Sequence, residues 1–372
     1  LSSLRGSGQS SSILPLLVDD AKYSTAQTLL EVASILAVTA QIGTDLGQLT
    51  VNALHTDLTK KGDHFDQASA VLQFLLAKNS EMIKLADQIE SNLETASRSL
   101  SIYANDPVAD TQLELIRSKV VTKVPPLALA AKKTASILRD LGPMLGNDRN
   151  RRYILLFLNN TELRPGGGFI GSFATFLVKK GQIGSFDVET NIYKLDNAFI
   201  KTSHVEPPYP INQLNKDWTL RDANWDTTFA GSAKKVAWFY KQESGIDVDG
   251  VIAIDTSFIQ SLMQYTGPVD IPIQKMTLTS ENVVSTLQYK SEKEYLENEA
   301  VRALNEPKKA IADAFPFVLA KVFNTVNENV PALLDVLNVG VAEKHLNFTP
   351  LFDQATSLGD NTNVSSSFPI DN

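Results

Sequence analysis

From about residue 20 to residue 141, apolar positions recur every three to four residues. This period predicts long helices over roughly 20–59 and 65–104. In the second, Met82, Ala86, Ile89, Leu93, Ala96, Leu100 and Tyr103 alternate steps of four and three, the spacing of a heptad seam. A third helical stretch opens near Thr111 and is expected to break at Pro125-Pro126, because proline removes a backbone donor. It resumes over 127–141. Stripes of this kind bury themselves against one another, so the expectation is a helical bundle or stalk. After Leu141-Gly142-Pro143 the pattern changes. Tyr153–Leu158 is a continuous apolar run, as in a strand buried on both faces. Ser172–Val178 and Ile183–Val188 flank Lys179-Lys180-Gly181-Gln182 as a hairpin. Helical patterns over 228–242, Ser257–Tyr265, most of 280–325 (interrupted near Pro307) and Pro331–Leu337 alternate with strand patterns at Val248–Ile254, Val269–Ile273 and His345–Phe348. Strands alternating with helices predict an α/β fold, a three-layer α-β-α sandwich with a mixed sheet. The expected division is a flexible segment 1–19, the helical region 20–141, the α/β domain 142–358 and a loose tail 359–372.

Composition narrows the function classes. The 372 residues are 43% hydrophobic and 20% charged, with a formal net charge of -8. That balance argues against general binding to nucleic acid or to an anionic membrane, and leaves room for a local basic pocket. There are no cysteines, which removes thiolate catalysis, disulfides and cysteine metal sites. No unbroken run of about 18 apolar residues occurs, so no segment is expected to span a membrane. The chain begins at Leu1, so any anchor is expected upstream of it.

The densest glycine cluster is Glu162-Leu163-Arg164-Pro165-Gly166-Gly167-Gly168-Phe169-Ile170-Gly171, directly after the first apolar strand. Gly166, Gly168 and Gly171 fit G-x-G-x-x-G. A dinucleotide turn needs its last glycine to open a helix. Here Ser172-Phe173-Ala174-Thr175-Phe176-Leu177-Val178 follows, and its composition favours a strand. No Gly-Lys-Ser/Thr follows either, so a P-loop is excluded. Two readings stay open. One is a structural corner with Arg164 paired to Glu162 or another acid. The other is an anion nest of exposed backbone N–H groups at Gly166, Gly167 and Gly168, with Arg164 forking onto a phosphate or carboxylate.

Asn159-Asn160-Thr161-Glu162-Leu163-Arg164-Pro165-Gly166-Gly167-Gly168-Phe169-Ile170-Gly171 resembles the hallmark of a bacterial envelope family, domain of unknown function 4012. Asp222-Ala223-Asn224-Trp225-Asp226, Asp249–Asp255 and Thr266-Gly267-Pro268-Val269 are similar to that family's second block. The resemblance spans roughly 140–355 and implies a membrane-anchored envelope protein. Residues 220–273 are also distantly similar to the LytR-CpsA-Psr phosphotransferases. That similarity implies arginines on a pyrophosphate, aspartates on Mg2+, and a polyprenyl-phosphate-linked glycan or cell-wall polymer as partner, at the extracytoplasmic face of a bacterial membrane. Carried onto this sequence, Arg164, Arg221 and Asp222 become catalytic, Asp222 and Asp226 the metal ligands, and Lys290 and Arg302 ligand-binding residues beside the three glycines. The sequence departs from that family's arginine-rich segment: Thr277–Lys309 offers Lys290, Lys293, Arg302, Lys308 and Lys309 instead. Lysine neutralises phosphate without the bidentate fork.

Other patterns carry bland alternatives. Asp226 before Thr227 suits a helix cap, and Asp222 a turn. Asp247, Asp249 and Asp255 flank one strand as solvated ends or as acids facing a crevice. Val205-Glu206-Pro207-Pro208-Tyr209-Pro210 reads as a rim loop, with Tyr209 and Trp218 offering faces to sugar or lipid. The histidines His55, His64, His204 and His345 lack zinc spacing. A non-catalytic envelope scaffold is the competing function.

Overall fold

The structure is a computed structural model that describes residues 20–54, 64–102, 111–326 and 329–352. The segment 1–19 and the tail 359–372 lie outside the described residues. The chain divides into two compact units, Leu1–Asn52 with Lys78–Arg139, and Ala53–Ala77 with Asp140–Asn372.

The first unit is helical. It holds α1 (Asp20–Leu54) and most of α2 (His64–Ile102) and α3 (Thr111–Met144). The heptad seam is the buried stripe: Met82, Ala86, Leu93, Ala96 and Leu100 are all buried. Val32 of α1 and Val124 and Ala131 of α3 pack with Leu93, Ala96 and Leu100. α3 runs unbroken through Pro125-Pro126, against expectation. Both prolines are exposed while Val124 before them is buried. The carbonyls that lose their donors therefore face water, and the buried stripe holds the helix together.

A second expectation, that no segment is apolar enough to span a membrane, is qualified by α1. Ala26–Asn52, 27 residues of mean hydropathy 1.4, is long and apolar enough to cross a membrane, and only 11% of the hydrophobic stretch is buried. By length and composition it could serve as a membrane anchor or a signal. Single Thr, Gln and Gly residues interrupt its apolar run, yet Glu31 and Asp45 are its only charges.

The second unit is the α/β sandwich. Its sheet contains β1 (Arg151–Asn159), β2 (Phe169–Lys179), β3 (Gln182–Ile183), β4 (Asp187–Glu189), β5 (Gly250–Asp255) and β8 (Leu346–Pro350). The order is β3-β2-β1-β5-β8, with β4 also on β2. Only β1 and β5 run parallel. The β2–β3 turn uses left-handed backbone at Lys180 and Gly181, as the hairpin reading requires.

Alternate residues of β1 feed two cores. Ile154, Leu156 and Leu158 pack under α4 (Ile192–Phe199) and α5 (Phe229–Ser244). Tyr153, Leu155 and Phe157 face α6 (Thr256–Thr266), α10 (Lys309–Val326) and α11 (Val330–Ala342). A small hairpin, β6 (Val269–Ile271) with β7 (Met276–Leu278), packs beside α6 and α10. Between β7 and α10 lie α7 (Val283–Gln288), a π-helical turn (Tyr289–Glu294), α8 (Tyr295–Glu297) and α9 (Glu299–Ala303).

At one end of the parallel strands, Arg151 is buried. Its guanidinium reaches Asp148 at 2.7 Å, Asp249 at 3.4 Å and the Pro143 carbonyl at 3.0 Å. Asp249 is thus a structural counter-charge, and Asp247 makes an exposed pair with Lys241.

Candidate functional site

At the other end of the parallel strands the chain leaves β1 into the glycine corner. The asparagines before it tie the strand ends together. Asn159 Oδ1 accepts the Thr161 N–H and hydroxyl, closing a turn. Asn160 Nδ2 donates to Asp255 Oδ2 at 3.2 Å and to Ser257 Oγ at 2.9 Å. Asp255 caps α6 by accepting from the Phe258 N–H, and it pairs with His345 Nδ1 at 2.7 Å.

The corner itself is structural. Gly166 N–H donates to the Asn224 carbonyl and Gly167 N–H to the Arg164 carbonyl. Asn224 Nδ2 donates back to the Gly168 carbonyl at 2.6 Å. A β-carbon on Gly166 would stand 2.5 Å from the Asn224 oxygen. Two of the three amides of the expected anion nest are therefore spent inside the protein. The glycines are needed for close backbone approach.

Arg164, Arg221 and Asp222 do come together. Asp222 sits in a 3-10 turn, Leu220–Asp222, and is buried. Its Oδ1 meets Arg164 Nη2 at 3.4 Å, and its Oδ2 meets Arg221 Nε at 3.5 Å and Asn215 Nδ2 at 3.2 Å. Arg164 pairs with Asp222, then, and not with Glu162. Its guanidinium lies 5.2 Å from the Phe169 ring and 5.6 Å from the Trp225 ring, and its Nε is buried with no hydrogen-bond partner among the described residues. Arg221 lies 5.2 Å from the Tyr193 ring. Burial pushes the Tyr193 hydroxyl upward despite the Arg221 charge.

Two acids complete this cluster without any motif to announce them. Asp196 of α4 lies 3.5 Å from Arg221 Nε and is 1% exposed. Glu243 of α5 accepts the Leu220 N–H at 2.9 Å. Burial raises Asp196 to about 6, against the opposing pull of Arg221. Burial, then the Asp196 charge, raises Glu243 to about 8. Both Asp196 oxygens and Glu243 Oε2 lack a hydrogen-bond partner among the described residues; a proton shared between the two carboxyls occupies one oxygen of each, and Arg221 Nε stands 3.5 Å from Asp196 Oδ2. The folded state keeps these protons at a pH where the unfolded chain has released them. Their contribution to stability is complete below about pH 4 and fades as pH rises through about 6 to 8. Melting temperatures from pH 5 to 8.5 are expected to fall in the wild type relative to Glu243→Gln, whose amide stays neutral; parallel curves would contradict the shared proton.

The residues do not fit a magnesium centre. Asp222 already has two arginines and an amide. Asp226 Oδ1 accepts the Thr228 N–H and hydroxyl, both at 2.8 Å, in the turn that starts α5. Among the described residues no group of three or more acids and histidines is arranged to hold a metal. The N-cap of α5 is Thr228, whose side chain accepts from the Gly231 N–H, and not Asp226 as the sequence suggests; Asp226→Ala removes the hydrogen bonds that hold that cap and is expected to lower stability by about 1 kcal/mol. Denaturant midpoints with and without magnesium check it, and a midpoint that depends on magnesium only when Asp226 is present would restore the metal reading.

Trp218 is similarly committed. Its Nε1 donates to the Asp222 carbonyl at 2.8 Å, and Lys235 and Phe239 cover its ring at 4.7 and 5.3 Å. Of the expected aromatic pair, only Tyr209 is freely exposed.

Two cavities share lining residues, and the second adjoins this cluster. One, of about 130 Å3, is almost wholly apolar; Phe157, Ile254, Ile259, Leu287, Ala314 and Phe315 line it between the sheet and α6, α7 and α10. The other, of about 710 Å3, is the more polar of the two, with a mixed lining that includes Tyr193 and Phe169, the rings that back Arg221 and Arg164, with Lys194, Asn197 and Lys201. The two share Ser291, Glu292 and Lys308. Ser291 is buried in the π-helical turn, and its hydroxyl has no partner among the described residues. Burial lowers the Lys308 pKa, opposed by the charges of Glu292 and Glu162. The Lys308 amide is fixed by the Thr190 carbonyl at 3.0 Å.

The two cations expected to bind ligand are elsewhere. Lys290 pairs with Glu294 at 2.9 Å, and Arg302 Nη1 donates to the Leu296 carbonyl at 3.2 Å. Neither lines either of these two cavities. On the π-helical turn that carries Lys290, Ser291 and Glu292 line them instead.

Residues 148–291 match the model of the family described as Protein of unknown function (DUF4012). The match covers the asparagine-glycine motif, the Arg164–Asp222–Arg221 cluster, α6 and Ser291, and stops short of Lys308. No curated protein matches the chain.

Proposed function

We propose that this DUF4012-bearing chain binds an anionic amphiphile of the polyprenyl phosphate or pyrophosphate class, carrying a glycan, at the extracytoplasmic face of a bacterial cell membrane. The observation that carries the reading is the meeting of an apolar cavity and a polar cavity at Lys308. A hydrocarbon segment suits the first; its volume is near that at which dry apolar cavities accept a ring-sized hydrocarbon. An anionic headgroup suits the second, where Lys308, Lys194 and Lys201 supply positive charge. The unpartnered Ser291 hydroxyl would donate to a phosphate oxygen at the junction. Helix α1, with the length and composition of a membrane anchor, suits such a location.

Transfer of the glycan to a cell-wall acceptor would rest on positioning and charge neutralisation. Arg221 and Arg164, one ring removed from the polar cavity, are the groups placed for it. A scaffold that holds the amphiphile without reacting it is the second reading. The commitment of Asp222 and Asp226 to internal partners favours it over a metal-dependent transferase.

Ala314 is buried at the wall of the apolar cavity. Ala314→Leu fills part of that space and is expected to weaken binding of polyprenyl phosphate in detergent by about tenfold, the worth of one side chain's apolar contact. Fluorescence titration against a labelled polyprenyl phosphate checks it, with melting curves to confirm folding. Equal affinity in the two proteins would remove the apolar cavity from the account.

A further inference from the structure

Four large hydrophobic side chains stand exposed at the rim of the polar cavity, on four separate segments. Leu163, 85% exposed, follows the lining residue Glu162; Ile200, 39% exposed, precedes the lining residue Lys201. Leu296, 64% exposed, lines the cavity itself, and Leu304, 57% exposed, precedes the lining residue Asn305. Single exposed hydrophobics are ordinary, but one that lines an opening and three that adjoin its lining residues mark an interaction surface.

Chemistry favours a lipid surface as the occupant. Leu163 lies in the loop between β1 and β2, Ile200 at the end of α4, Leu296 in the single turn of α8 and Leu304 just past α9. They are separate tips, not one continuous apolar face, and the cavity between them is lined by Lys194, Lys201 and Lys308 against Glu162 and Glu292. Apolar tips between lysines match the acyl-headgroup boundary of an anionic bilayer. The cavity they surround shares Ser291, Glu292 and Lys308 with the apolar cavity.

We propose that this rim rests in the headgroup layer of a bilayer containing anionic lipid, with the four side chains inserted. Resting on the function proposed above, this contact lets an amphiphile pass from the bilayer into the cavities without exposing its hydrocarbon to water.

The chain has no cysteine, so single labels are site-specific. Full-length protein with Leu163→Cys, Leu296→Cys or Leu304→Cys, each carrying an environment-sensitive fluorophore, is placed in vesicles containing phosphatidylglycerol and a spin-labelled quencher lipid. Asp247→Cys, at the other end of β5, is the control. The rim labels are expected to shift to the blue and to be quenched several-fold more than the control, and the effect is expected to shrink when phosphatidylglycerol is replaced by a neutral lipid. Rim labels as water-exposed and unquenched as the control overturn the proposal; a rim that docks on a protein would give that result. The amphiphile reading fails separately. If Lys308→Met leaves polyprenyl phosphate binding in detergent unchanged while the rim labels are quenched, the membrane contact stands and only the route into the cavities falls.

Discussion

Gly168→Ala is expected to lower stability by about 3 kcal/mol, among the larger effects of any single substitution here. Gly168 has φ +132°, outside the comfortable range of any residue with a β-carbon. An added β-carbon would lie 2.6 Å from the Asn159 carbonyl oxygen and 2.8 Å from the Asn160 Cα. Both are backbone atoms of the segment that leads from β1 into the glycine corner before β2, so neither can swing away. Gly171 supplies the contrast. It belongs to the same glycine pattern, yet a β-carbon there meets nothing closer than 3.8 Å. Gly171→Ala is expected to change stability by less than about 1 kcal/mol. Urea denaturation of both variants checks the pair. A mild Gly168→Ala would mean the corner is looser than its hydrogen bonds imply, and would reopen the anion nest.

Lys308→Met is expected to weaken binding of the anionic amphiphile by about 100-fold while leaving the fold as stable as before or more so. Truncating a desolvated charge that faces a bound counter-charge costs about 2–5 kcal/mol of binding. Without ligand the same cation is a burden, because burial already lowers its pKa. Replacing it by an apolar chain of similar length removes that cost. Stability and affinity should therefore move in opposite directions, which a purely structural lysine would not do. Parallel thermal melts and binding titrations of the full chain check both arms.

What the sequence reveals depends on how local the cause is. β1 and β5 are legible because strands buried on both faces need unbroken apolar runs. The seam from Met82 to Leu100 is legible because one helix face must stay dry. The hairpin at Lys180-Gly181 is legible because the turn needs left-handed backbone. The continuity of α3 through Pro125-Pro126 is hidden, since the lost hydrogen bonds are offset by packing with other helices and by water on the exposed side. α4 escaped because Ile192, Asp196 and Phe199 give only two turns, and one of its buried positions is an acid.

The site divides in the same way. Arg164, Arg221 and Asp222 stand beside recognisable motifs, and the fold brings them together. Lys308, Asp196 and Glu243 look like ordinary surface charges in the sequence. They become unusual only through distant partners: Lys308 is set beside the Thr190 carbonyl, and Glu243 reaches Leu220 from another helix. Lys290 and Arg302 are the more conspicuous cations of that segment; Lys290 is absorbed by Glu294 on its own turn and Arg302 by the Leu296 carbonyl of α8. Spacing alone does not tell which residue of a π-helical turn faces a cavity.

The central claim is that an anionic amphiphile occupies the junction of the two cavities. Native mass spectrometry of the full chain, expressed in a bacterial host and extracted in mild detergent, tests it most directly. The account predicts an adduct with the mass of a polyprenyl phosphate or pyrophosphate on the wild type, strongly depleted on Lys308→Met and weakened on Ala314→Leu. A clean protein mass that stays unchanged when polyprenyl phosphate is added, with or without magnesium, would contradict the claim and leave the scaffold reading in its place.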